Sequence, residues 1–110
     1  IQWMIADSTT ELHAARLMTY HAAWKADQGL NFHVEASQVK LYADEVYMRI
    51  VDRAIQIHGG LGLSRELPLE LMFRDARSRL ITEGSSEMQR IIIASEVLSG
   101  RSGVNRLTPD

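Results

Sequence analysis

Residues 79–98 read RLITEGSSEMQRIIIASEVL. One carboxylate, Glu83, stands directly before Gly84-Ser85-Ser86, and a run of isoleucines follows. An acid at the mouth of an apolar helix admits two readings. It can be a solvated charge that complements the positive end of the helix dipole. It can also be a general base, which needs the opposite surroundings. A free Glu titrates near ~4.3, and a helix N-terminus pushes that lower. A base acting near neutral pH needs burial among apolar groups that disfavour its charge. Thr82 and Gly84 are small neighbours that leave room for a substrate to supply that desolvation.

Two other groupings have types that invite chemistry. GGLGLS, residues 59–64, is glycine-rich like a phosphate loop. It follows a helical pattern rather than a strand, and it lacks both the Lys-Ser/Thr of a P-loop and full G-x-G-x-x-G spacing. It reads either as a helix-to-helix turn or as a place where Gly59 and Gly60 let a ligand lie against bare backbone. Gln56, just upstream, offers an amide that both donates and accepts. The four histidines, at 13, 21, 33 and 58, form no H-x-x-x-H pair and no Glu-x-x-His pair. They read as surface or capping residues, so no metal site is expected.

Composition narrows the field. The 110 residues suffice for one domain with a modest core. The 45% hydrophobic and 24% charged content is ordinary for a globular protein. A formal net charge of −2 gives no reason to expect nucleic acid or an anionic membrane as partner. Without cysteine there is no disulfide framework and no thiolate chemistry. No apolar stretch approaches the ~20 residues of a membrane span. The chain opens on Ile1 with no signal-peptide pattern, so it reads as a piece of a longer protein or one trimmed at its front.

The elements that must position these residues are helical. In the first segment Ile5, Leu12, Ala15 and Ala22 share a face, and Gly29 is a plausible stop. Ser8 and Glu11 have capping-box spacing, which starts the helix at Ser8 unless the apolar run before it is already helical. In the second segment Ala36, Val39, Ala43, Val46, Ile50, Ala54 and Ile57 form a seam for a partner helix. Asn31 or His33 caps its start and Gly59-Gly60 ends it. Residues 59–68 are a loop by composition. Pro68 opens a short helix whose buried members are predicted to be Met72, Phe73 and Leu80. In the last helix, Ser86 and Gln89 have capping-box spacing, and Met88, Ile91, Ile92, Ser95 and Leu98 form the inner stripe. The fold class is therefore all-α: a helical bundle over residues 1–99 and a polar, loose tail over residues 100–110.

Four ordered motifs carry a family resemblance: Gln56-Ile57-His58-Gly59-Gly60, Pro68-Leu69, Arg74-Asp75-Ala76 and Glu83-Gly84-Ser85-Ser86-Glu87-Met88-Gln89-Arg90. With the helix before them, they resemble the C-terminal helical domain of the acyl-CoA dehydrogenase family. The resemblance implies an up-down helical bundle, incomplete at its N-terminal end, that completes a larger FAD-dependent oxidoreductase. Such an enzyme oxidises an acyl-CoA thioester to the trans-2-enoyl product. Glu83 aligns with the base that removes the α-proton, and the adjacent Gly84 lets the thioester lie close. The backbone N–H of the glutamate helps bind the thioester carbonyl, which is oxyanion-hole physics. Ser85 and Glu87 match positions that contact FAD. Gln56, Ile57, His58, Gly59 and Gly60 match a contact to the FAD of a neighbouring subunit, which implies a homo-oligomer, a dimer or tetramer.

The same resemblance implies electron-transfer flavoprotein or a similar acceptor as partner. It implies a cytoplasmic location in a bacterium or the mitochondrial matrix in a eukaryote. Thr82 stands where a tyrosine often precedes the glutamate, so one wall of the acyl pocket differs. Glu87 stands where some members have Gln and adds a charge near the cofactor. On its own the segment is expected to self-associate or fold poorly, without retaining FAD or turning over acyl-CoA. The alternatives are a non-catalytic assembly module of the same fold and an acyl-CoA oxidase-type flavoenzyme.

Overall fold

Four α-helices and one short 3-10 helix account for the regular structure of the computed structural model, which describes residues 1–100 and 104–107. They are α1 (Gln2–Asp27), α2 (His33–His58), the 3-10 helix Gly59–Leu63, α3 (Leu69–Arg79) and α4 (Ser86–Leu98). The described residues are thus all-helical, as the periodicity predicts.

The first helix is already under way before Ser8. Ser8 and Glu11 do not cap it; they face α2, where Arg53 reaches both and Arg49 also reaches Glu11. The Glu11 carboxyl sits below its usual range. The hydrogen bond from Arg53 and the charge of Arg49 outweigh the upward pull of burial. At the other end Gly29 leaves the helical region at φ 70°. The N-cap of α2 is Phe32 rather than Asn31 or His33, although Asn31 Oδ1, one residue earlier, accepts the His33 N–H at 3.0 Å.

Every other helix packs on α2. Glu11 pairs with Arg49 and Arg53 while Lys25 pairs with Glu35, so α1 runs antiparallel to α2. Tyr47 donates to Asp75, and Lys40 donates to the Arg79 carbonyl at 2.8 Å, so α3 is antiparallel to α2 as well. Lys40, also paired with Asp44, places its cation where the α3 dipole ends negative.

The core is small: Ala15, Ala22, Val34, Val46, Val51 and Ala76 are its buried apolar residues. Along α2 the predicted seam is real, with Val46 buried and its other members half-buried. Elsewhere the apolar stripes are covered only in part: Ala15 and Ala22 of the α1 face are buried, and Ile92 of the α4 stripe is half-buried. Ile5 and Leu12 on α1 are exposed. On α3 the buried residue is Ala76, while Met72 is exposed and Phe73, like Leu80 just past the helix, is half-buried. On α4 the buried positions are Ser86 and Gln89, while Met88, Ile91 and Leu98 are exposed. That stripe has the right period and is covered only in part within the described residues. The outline agrees: the radius of gyration is 16.4 Å, against about 13 Å for a compact chain of this length.

Two further predictions are corrected. The glycine-rich segment is a turn of 3-10 helix rather than a loop, and Gly62 makes it possible. A Cβ there would lie 2.7 Å from the Ile55 carbonyl oxygen and 3.0 Å from its Cα, both backbone atoms that cannot rotate away. Gly62→Ala in the full-length protein is expected to cost about 1–3 kcal/mol by overpacking. An unchanged denaturation midpoint would contradict this. The tail, predicted loose, is held where it is described. Asn105 N–H donates to Glu35 Oε1 at 2.7 Å, and His21 Nε2 bonds the Arg106 carbonyl at 2.7 Å.

Candidate functional site

Glu83 occupies a tightly specified turn between α3 and α4. Thr82 N–H bonds the Ser78 carbonyl at 3.0 Å, and the Thr82 hydroxyl donates to the same oxygen. Ser86 N–H closes the turn on the Leu80 carbonyl at 3.2 Å. The N-cap of α4 is Ser85, whose Oγ accepts the Met88 N–H at 3.2 Å. The predicted cap at Ser86 is thus displaced by one residue. Ser85 has the extended backbone an N-cap requires, whereas Ser86 is already helical and buried.

Between these anchors the backbone at the acid is unusual. Glu83 has φ 54° and Gly84 φ 92°. Glycine adopts such values freely, but a side chain with a Cβ meets its own carbonyl there. Residues held in this region cost on the order of 1–3 kcal/mol and cluster at functional sites. In this chain the Glu83 side chain is exposed, beside the positive N-terminal end of α4. Ser85 is half-buried with its O–H still able to donate, and Glu87 is exposed.

The Gln56–Gly60 segment lies elsewhere. Arg90 pairs with Glu45 at 2.7 Å, so the start of α4 sits beside the middle of α2. Gln56 lies roughly 16 Å further along α2, at 1.5 Å per residue. The sequence-predicted residues therefore form two patches: Glu83, Gly84, Ser85 and Glu87 on one, and Gln56, Ile57, His58, Gly59 and Gly60 on the other. In the second patch Gln56, His58, Gly59 and Gly60 are exposed and Ile57 is half-buried. No atom crowds the space a Cβ would fill at Gly59 or Gly60, so their backbone is open to a ligand. The His58 Nδ1 is engaged with the Ala54 carbonyl at 2.8 Å.

Between α2 and α3 the charges of Asp75 and Arg79 are paired. Asp75 accepts from Tyr47 and Arg79, both at 3.2 Å, and the Arg79 guanidinium lies over the Tyr47 ring. Burial and then the Asp75 hydrogen bond raise the Tyr47 phenol, keeping it a donor. No group of three His, Cys, Asp or Glu able to hold a metal ion occurs among the described residues. No helix there is long and apolar enough to cross a membrane.

Three features escape sequence reasoning. Gln89 is buried and directed at the Glu83 turn, although its spacing from Ser86 suggests a capping box. Lys25 and Glu35 form a buried ion pair at 2.6 Å. Their placement on facing helix ends across the Gly29 turn was a usable signal. Gly62 looked like one more flexible loop glycine.

Residues 1–98 match the family described as acyl-CoA dehydrogenase, C-terminal domain. (R)-benzylsuccinyl-CoA dehydrogenase of Thauera aromatica is 48% identical over 100 residues, 90% of this chain and 25% of that protein. The structure of butyryl-CoA dehydrogenase from Megasphaera elsdenii matches with a TM-score of 0.85 at 37% identity, over 88% of this chain and 25% of that one. An FAD complex of PigA matches with a TM-score of 0.85 at 30% identity, over 91% and 26%. The chain spans about a quarter of the length of these relatives.

Proposed function

Because the chain belongs to the acyl-CoA dehydrogenase family, we propose that it supplies the base and part of the flavin cradle of an FAD-dependent oxidation of acyl-CoA thioesters. The observation that carries this is the left-handed backbone at Glu83. A solvated acid has no use for that strain, whereas a base that must meet one substrate carbon does. The Glu83 carboxylate takes the α-proton, and the flavin, when bound, supplies the acceptor for the β-hydrogen and its electron pair. The product is the trans-2-enoyl thioester. The Glu83 N–H, beside Gly84, faces the thioester carbonyl and stabilises charge as the α-proton leaves.

Glu83 is open to water on this chain. The bound thioester and the rest of the full-length protein supply the apolar wall that makes it an effective base.

The open glycine backbone at Gly59 and Gly60, the Gln56 amide and the Ser85 hydroxyl suit a polar, negatively charged dinucleotide. Two patches separated along α2 fit two flavins better than one. Ser85 and Glu87 would contact the FAD beside Glu83, and the Gln56–Gly60 segment the FAD of a neighbouring subunit. The enzyme is therefore a homo-oligomer, and the outward stripe of Met88, Ile91 and Leu98 provides apolar surface for assembly. Electron-transfer flavoprotein or a similar carrier reoxidises the flavin. The chain alone retains neither FAD nor activity.

Full-length protein, mixed anaerobically with a panel of short, branched and aromatic acyl-CoAs, is expected to lose its flavin absorbance and form the enoyl product. A protein purified without flavin, or one bleached by no acyl-CoA, would overturn the reading.

A further inference from the structure

We propose that Gln89 is a positioning residue for the Glu83 base, an inference that rests on the assignment of Glu83 above. Gln89 lies on the second turn of α4 and is only 8% exposed. Its Nε2 donates to the Gly84 carbonyl at 3.4 Å. A Cβ on Gly84 would come within 2.4 Å of the same nitrogen. The amide thus occupies the volume that any other residue at 84 would need. Position 84 favours glycine for its φ, and a Cβ there would push the end of the flexible Gln89 side chain off the Gly84 carbonyl.

Other bonds of the turn fix its flanks. Thr82 is tied to Ser78, Ser86 to Leu80, and Met88 to Ser85. Between these anchors, Glu83 and Gly84 carry positive φ. Side-chain hydrogen bonds from the described residues reach the backbone of this pair through Gln89. Without it, the Gly84 peptide can rotate and Glu83 can leave the left-handed region, which L-residues disfavour. The carboxylate and the Glu83 N–H then lose their common aim, and a displacement of about 1 Å is enough to slow a positioned reaction. A buried polar amide on the face of α4 that meets α2 is an expensive choice for packing alone, since an apolar residue needs no partner there.

The test uses full-length holoenzyme carrying Gln89→Met, which keeps the length and loses the donor. The expected result is a roughly tenfold lower kcat with FAD content and KM within twofold of the parent. The α-deuterium isotope effect on kcat should rise, because a misaimed base makes proton abstraction more rate-limiting. A purely structural role would lower active enzyme and FAD content together and leave the isotope effect unchanged, which overturns the proposal. So would kcat and isotope effect both equal to the parent's. If Gln89→Met does not fold, Gln89→Asn, which keeps an amide too short to reach Gly84, is read by the same criteria. Glu83→Gln runs alongside. Its inactivity with an unaffected Gln89→Met removes only the positioning role, whereas its full activity removes the base assignment itself.

Discussion

Glu83→Gln in the full-length enzyme is expected to lower acyl-CoA oxidation by about 10²–10⁴-fold, the range a general base contributes. FAD content should be largely unchanged. Gln matches Glu in size, and the bonds that shape the turn involve the backbone and Ser85, Thr82 and Gln89 rather than the Glu83 carboxyl. What disappears is the acceptor for the proton. The direct measurement is exchange of the substrate α-hydrogen with deuterated water, which isolates proton abstraction from later electron transfer. Exchange should vanish while acyl-CoA still binds. Near-normal turnover or exchange would show that another group removes the proton, and the strain at residue 83 would then need a different explanation.

How much of this was legible follows from what each residue touches. The α2 seam could be read because α2 has neighbours along its length, so periodicity and burial coincide. The α4 stripe could be read as a period, but its direction could not. Met88, Ile91 and Leu98 face outward, and hydropathy says only that a stripe wants cover. At the turn, Glu83 and Gly84 stood out by type. The positive φ of Glu83 did not, because left-handed backbone is produced by the hydrogen bonds around it. The adjacent serines carried a local ambiguity: Ser86 with Gln89 and Ser85 with Met88 both have N-cap spacing. Only backbone geometry selects the second, and that choice releases Gln89 to serve the Gly84 carbonyl. The residues of the second patch were legible as a motif, while their distance from Glu83 required knowing where on α2 the later helices dock.

Lys25→Met is expected to destabilise the full-length protein by about 3–5 kcal/mol, the cost of stripping one partner from a buried ion pair. Lys25 and Glu35 are 4% and 3% exposed and join the end of α1 to the start of α2. Burial pushes the Glu35 carboxyl upward. The Lys25 hydrogen bond and the Asn105 N–H more than offset it, so the group sits below its usual range. A depressed carboxylate contributes stability above its unfolded pKa and loses it as pH falls through the folded value. The parent should therefore lose this contribution only in acid. In Lys25→Met the principal offset is gone while the backbone N–H bonds of Asn105 and Glu35 remain, so the carboxyl moves up from its place in the parent. The variant's deficit against the parent should therefore be worst at neutral pH and shrink as acidification neutralises Glu35. Lys25→Met combined with Glu35→Leu should cost much less than the sum of the single changes, since an apolar pair of similar volume leaves no buried charge. Denaturant midpoints at pH 7 and pH 5 read both effects. A small, pH-independent loss in Lys25→Met would mean that water reaches Glu35, and that residues 104–107 do not seal the pair.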